Sequence, residues 1–230
     1  MEFEKWEPVY EAILADFGYD RGADERARDV LAGMTEPFDR GRLSSVQGAT
    51  VAIAGGGPSL RDELAVASES QIVFAASSAA DVCLEAGVDV DAMVTDLDKN
   101  PATAERLTDH GVPVAVHAHG DNLDAVREFV PTFDATTVLP TTQAAPIDPV
   151  RNFGGFTDGD RAAFLADHLG AATLRFPGWD FDDPAVDDEK RLKLRWAERL
   201  LYWLERRRAE RFPVLDGRRD TVDTQALPID

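Results

Sequence analysis

Apolar positions in the first fifty residues recur at helical spacing. Trp6, Val9, Tyr10, Ile13, Leu14 and Phe17 fall on one face of a helix that Gly18 should stop, and a second helix is predicted over residues 21–34. From Thr50 the pattern changes. Short apolar runs at 50–55, 71–76, 91–95, 112–118, 135–140 and 173–178 read as strands. They alternate with helical stretches at 59–67, 78–87, 101–111, 123–130 and 158–170. Asn100 is placed to cap the helix that Pro101 opens and Gly111 closes. This alternation predicts an α/β fold, a mostly parallel sheet with helices on both faces. A long charged helix is expected over 187–211, with Leu192, Leu194, Trp196, Leu200, Leu201, Trp203 and Leu204 turned to the body. The chain then divides into an N-terminal helical extension (1–46), an α/β domain (47–182), and a C-terminal helix and tail (183–230) packing on the same body.

Composition changes this picture in one respect. The 230 residues are 44% hydrophobic, enough for a large core, yet the net charge is -19. Twenty-eight Asp and 15 Glu face 20 Arg and only 4 Lys. An acid-rich, lysine-poor surface suits a halophilic protein, because concentrated salt screens its self-repulsion. A moderately acidic mesophilic protein is the alternative. Nucleic acid is an unsuitable partner, since phosphate backbones need a basic stripe that the sequence lacks. Cys83 is the single cysteine, so no internal disulfide can form, and its apolar neighbours mark it as core filler. No apolar run reaches membrane-spanning length and the acidic N-terminus does not read as a signal peptide, so a cytoplasmic protein is expected.

In open parallel sheets, ligands bind beyond the carboxyl ends of the strands. Four polar motifs fall at such ends. In "AGGGPSL", Gly55, Gly56 and Gly57 allow close backbone approach, and Pro58 and Ser59 begin a helix whose amides are placed to hold a phosphate. A merely tight strand-to-helix turn is the other reading, because the spacing matches neither a Walker loop nor a dinucleotide fingerprint. In "VTDLDKN", Asp96 and Asp98 share a face if the chain stays extended through Leu97. Two hard oxygen ligands beside a phosphate site favour magnesium, and Lys99 is placed to meet a phosphate.

The third motif is "HAHGDN". His117 and His119 are placed for substrate or phosphate contact; zinc would need a third ligand that the neighbourhood does not offer. Asp121 is either a third magnesium ligand or the cap of the helix that starts at Leu123. The fourth is "NFGGFTDGDRAAF", where Thr157 and Asp160 form a variant capping box. Capping does not account for Gly154, Gly155, Asp158 and Arg161, and Arg161 is suited to reading an anion.

Together "GGGPSL", "TDLD", "HAHGDN" and "GGFTDGDRA", with "PGWDF" further on, resemble the archaeal 6-hydroxymethyl-7,8-dihydropterin pyrophosphokinases over residues 45–181. Their catalytic domain is related to that of thiamine pyrophosphokinase. The resemblance implies a magnesium-dependent enzyme that moves the β,γ-diphosphate of ATP to the hydroxymethyl oxygen of a reduced pterin, releasing AMP, on the way to folate or methanopterin. It implies that Asp96, Asp98 and Asp121 serve catalysis and the metal, and that Gly55 to Ser59, Lys99 and Arg161 hold phosphates. Asp158 or Asn122 would accept hydrogen bonds from the pterin, and Phe153, Phe156 or Trp179 would wall its ring. A nucleotide-sugar glycosyltransferase of the wider group, a thiamine kinase and a non-catalytic nucleotide-binding module are the rival readings. The aromatic terminal helices are candidate material for a homodimer.

Overall fold

Each apolar run beyond Thr50 becomes a strand in the computed structural model, which describes residues 1–229. The strands are β1 (Thr50–Ala54), β2 (Ile72–Ala76), β3 (Ala92–Thr95), β4 (Val114–Ala118), β5 (Val138–Thr142) and β6 (Thr173–Arg175). They form one sheet in the order β5-β4-β3-β2-β1-β6, and every pairing is parallel. The helices are α1 (Phe3–Phe17), α2 (Arg21–Ala32), α3 (Leu64–Ser68), α4 (Ala79–Glu85), α5 (Pro101–Asp109), α6 (Leu123–Phe129), α7 (Asp158–His168) and α8 (Asp188–Arg208).

Strand side chains alternate between two layers, as the pleat requires. Val51, Ile53, Phe74 and Val94 join α1, α7 and α8 through Ile13, Phe164 and Trp203. Ala52, Val73, Met93 and Val116 join α2 to α6 through Leu31, Cys83, Leu107 and Val126. Cys83 is fully buried, as expected of core filler, and burial pushes its thiol up. The strands step outward from β1 to β5; α7 then returns across the opposite face, over β1 to β3, and β6 adds beside β1. The reversal of direction beside β1 leaves a crevice at the carboxyl edge.

The helices α1 and α8 pack on the layer that holds α7, while α2 packs on the other, against β4, β5 and α6. Trp6 and Trp203 stack with ring centroids 6.5 Å apart, and the Trp196 indole donates to Asp16 at 2.9 Å. Phe212 and Leu215, expected in a tail or edge extension, are fully buried. This packing carries the α1–α2 turn and the first turn of α8 to the same sheet edge, where the Tyr19 hydroxyl donates to Glu189 at 3.0 Å.

Several local expectations differ. The helix expected over 59–67 is broken into a 3₁₀ turn, Pro58–Arg61, and the short α3, with Glu63 leaving helical geometry between them. The strand expected over 135–140 starts later, because Ala135–Thr137 winds into a 3₁₀ turn under the Asp134 carboxylate. Asn100 stands at the cap position of α5, but its side chain donates instead to Ser77 O and Asp81, tying β2, α4 and α5 together.

Candidate active site

The carboxyl end of β3 turns rather than running on. Leu97 has φ +68°, so Asp96 and Asp98 do not share a face by strand alternation as expected. The left-handed conformation costs an ordinary residue roughly 1–2 kcal/mol. Burial of the Leu97 side chain in the core and a bond from its N–H to Thr95 Oγ1 (2.9 Å) hold it there. The turn folds Asp98 back, so that its N–H meets Asp96 Oδ1 at 3.2 Å and the two carboxyls stand close enough to perturb each other.

That closeness has an electrostatic consequence. Burial and the neighbouring Asp96 push Asp98 up to about 6. Burial acts on Asp96 in the same sense, but hydrogen bonds from His119 and Asp98 and the charge of Arg161 hold it below the usual carboxylate range. His119 Nε2 lies 3.5 Å from Asp96 Oδ2. Asn122 fixes this corner, donating to the carbonyls of Asp96 (2.8 Å) and His117 (2.6 Å) while accepting the His119 N–H at 2.9 Å.

A cavity of about 510 Å³ opens over the pair, and Asp158, Arg161, His119 and Lys99 also line it. Asp158, at the start of α7, is pushed up to about 8 by burial and by Asp96, against the pull of Arg161 3.1 Å away. Three carboxyls therefore crowd one space, and two of them are raised by desolvation and by the charge of Asp96. A hard divalent cation beside the pair would offset that repulsion, and magnesium is usually held by one or two carboxylates with waters and phosphate oxygens completing its shell. The donor set suits it. Among the described residues no group of three or more acidic, His or Cys side chains is gathered tightly enough to hold an ion by protein groups alone. Asp121 is accordingly not assembled with the pair: it is exposed on the rim. Nor is it the α6 cap, a position taken by Asn122.

The glycine loop differs from its phosphate-cradle reading. Gly55 N–H is donated to Pro177 O, Gly57 N–H to Gly178 O, and Ser59 N–H to the Asp180 carboxylate, each at 2.9 Å. Pro58 has no N–H to give. A Cβ on Gly55 would meet Gly178 O at 2.5 Å, and one on Gly57 would meet Asp180 Oδ2 at 2.3 Å. These glycines are needed for packing against "PGWD". The loop still lines a second cavity, of about 170 Å³, with Ser77, Ser78 and the Trp179 and Phe181 rings. The buried Ser77 hydroxyl there has no hydrogen-bond partner.

The two cavities share Lys99, Thr157, Asp158 and Lys190. Thr157 and Asp160 form the predicted capping box, and Gly154 and Gly155, at φ +89° and +94°, let the preceding loop cross the start of α7. A Cβ on Gly155 would stand 2.6 Å from the Arg161 backbone. Two expected contacts move away from the ligand space. His117 is buried behind it, neutral because burial lowers its pKa well below the ordinary value, with Nδ1 3.1 Å from Thr141 Oγ1. Asn122 has both ends of its amide committed within the protein. Of the proposed ring walls, Phe156 lines the larger cavity and Trp179 the smaller, while Phe153 packs on His168.

Sequence reasoning missed residues that the flanks and the end of β5 supply. Tyr19 and Asp24 come from the N-terminal extension, Lys190 and Lys193 from α8, and Gln143 from the end of β5. One signal was available: three of the four lysines in a chain with 43 acidic residues line this cavity.

Comparison with known proteins agrees with this geometry. Residues 31–185 match the family described as 6-hydroxymethylpterin diphosphokinase MptE-like. The 6-hydroxymethyl-7,8-dihydropterin pyrophosphokinase of Methanothermobacter thermautotrophicus is 39% identical, the alignment covering 90% of this chain and 96% of that protein. Proteins of the same name from Pyrococcus furiosus and Methanocaldococcus jannaschii are 37% and 30% identical, each over 89% of this chain and 95% and 96% of their own lengths. The chain belongs to the MptE-like 6-hydroxymethylpterin diphosphokinase family.

Proposed function

We propose that the chain transfers the terminal diphosphate of ATP to the hydroxymethyl oxygen of a 6-hydroxymethyl-7,8-dihydropterin, with AMP as the second product. The observation that carries this reading is a pair of cavities meeting at a junction lined by Asp158, Lys99 and Lys190. A two-substrate diphosphoryl transfer needs one compartment for each organic group and a charged passage between them. The hydroxymethyl oxygen attacks the β-phosphorus, and the bond from that phosphorus to the oxygen it shares with the α-phosphorus breaks. AMP leaves with that oxygen, and the hydroxyl proton is released. Most of the catalysis asked of the protein is placement and charge balance.

Asp96 and Asp98 would hold magnesium, which neutralises charge on the migrating phosphates. His119 and Asn122 orient Asp96 for that duty. Arg161, held by Asp158 and Gln143, adds a positive charge beside the carboxylates that would help to hold the phosphates. Lys99 meets phosphate at the junction. Phe156 beside Phe17 and Tyr19 offers a flat wall in the larger cavity, and Trp179 with Phe181 offers one in the smaller.

The same reading makes the protein a cytoplasmic enzyme of a high-salt cell, serving folate or methanopterin formation with small molecules as its partners. Among the described residues no helix is long and apolar enough to cross a membrane. Incubation with magnesium, ATP and hydroxymethyldihydropterin in concentrated salt should yield AMP and a pterin diphosphate in equal amounts. Release of ADP, or hydrolysis of ATP without a pterin product, would overturn the assignment.

A further inference from the structure

Lysine is scarce in this chain, so its placement is informative. Lys5 pairs with Glu2 at 3.6 Å and Lys193 with Glu189 at 2.8 Å, whereas Lys99 and Lys190 have no salt-bridge partner among the described residues. Both stand at the junction of the two cavities. They repel each other there: both reach solvent, and partial desolvation and the charge of Lys99 pull Lys190 below its ordinary pKa.

The position of Lys190 is unfavourable for the helix as well. It lies in the first turn of α8, its backbone N–H donating at 2.7 Å to the capping Asp187 carboxylate. A cation near a helix N-terminus opposes the helix dipole. Two like charges and an adverse dipole do nothing for the fold. A multiply charged anion between the ammonium groups would offset both.

We propose that Lys190 is a phosphate-binding residue of the active site, gripping with Lys99 the diphosphate group as it passes between the compartments. This rests on reading the site as one for a polyphosphate. Lys190 lies outside residues 31–185, so the matched family segment would be completed by a charge from the C-terminal helix.

Calorimetric binding of inorganic tripolyphosphate with magnesium tests the cradle without the transfer reaction. Lys190→Met should weaken that binding at least tenfold, Lys190→Arg should keep it within about threefold, and Lys5→Gln, the distant surface control, should leave it unchanged. Should the methionine variant lose its near-ultraviolet dichroism, Lys190→Gln carries the comparison. In AMP-release kinetics the same loss should raise KM for ATP and lower kcat/KM at least tenfold. Wild-type affinity in the neutral variants, or no tripolyphosphate binding by the unaltered protein, overturns the proposal. Lys190-dependent binding without AMP release in the presence of pterin would remove the transfer reaction and leave the cradle standing.

Discussion

Gln143, beyond the fifth strand, donates its side-chain amide to the buried carboxylate of Asp24 at 2.7 Å. The same carboxylate accepts the Tyr10 hydroxyl and the Gly120 N–H, so the N-terminal extension is bonded to two loops of the site. With its amide nitrogen so engaged, Gln143 turns its oxygen to Arg161, 3.2 Å away. Gln143→Leu would leave the Arg161 donor without its acceptor, at a cost of about 1–3 kcal/mol for a buried group left unpaired, while Asp24 keeps the Tyr10 hydroxyl and the Gly120 N–H. We expect a lower melting temperature and a KM for ATP raised more than kcat is lowered, because Arg161 loses its orientation. An unchanged KM would show that Arg161 is held by Asp158 alone.

The raised carboxyls predict a stability profile. Asp158 is about 8 in the folded chain against 3.8 for an unperturbed Asp, so over that interval the folded state binds more protons than the unfolded one. Asp98, at about 6, acts in the same direction. The contribution of these two groups to stability without divalent cations should therefore fall as pH rises from about 4 to about 8 and then level off, while the buried neutral His117 acts in the opposite sense below about 6.5. Magnesium, by favouring the ionised forms, should flatten the slope and give its largest stabilisation at the alkaline end. Thermal melts across this range, with EDTA and with magnesium at constant high ionic strength, check it. Parallel profiles under the two conditions would separate these carboxyls from the metal.

The order of strands and helices was legible because period-two runs and helical stripes alternate, and the resulting parallel sheet places its loops at one edge. Asp96, Asp98, Lys99, His119, Asp158 and Arg161 were legible for that reason. What sequence could not supply was the direction of single side chains. Leu97 reads as one more apolar residue, yet its positive φ aims the two acids. The three glycines suggest free amides, but Pro177, Gly178 and Asp180, over a hundred residues away in the chain, take most of them. Tyr19, Asp24 and Lys190 reach the site only through the packing of Trp6 on Trp203 and its neighbours, a tertiary contact without a local signal.

Asp98→Asn should separate stability from activity. The substitution keeps the shape of the side chain and removes one of two charges that repel each other inside the turn. The metal-free variant should melt at a higher temperature than the unaltered protein at pH 8, where Asp98 would otherwise be ionised. Magnesium-dependent AMP release should fall by two orders of magnitude or more. Lower stability together with full activity would mean that the carboxylate is a structural group and not a metal ligand.

Gly57→Ala tests whether the glycine loop serves packing or phosphate. The added methyl group would stand 2.3 Å from Asp180 Oδ2 and 2.7 Å from Gly178 O, distances that cannot persist. Asp180 is the only one of the two neighbours able to swing clear, and in doing so it would release the Ser59 N–H. The expected result is a loss of about 1–3 kcal/mol, the range for an overpacked site, read as a lower urea midpoint. Pairing the change with Asp180→Gly, which removes the obstructing carboxylate, should recover part of it. Tripolyphosphate binding should change little in either variant, because the phosphates are assigned to Lys99, Lys190 and Arg161. If binding collapses while stability is unaltered, the loop is a phosphate cradle after all, and its bonds to Pro177, Gly178 and Asp180 must yield when the ligand arrives.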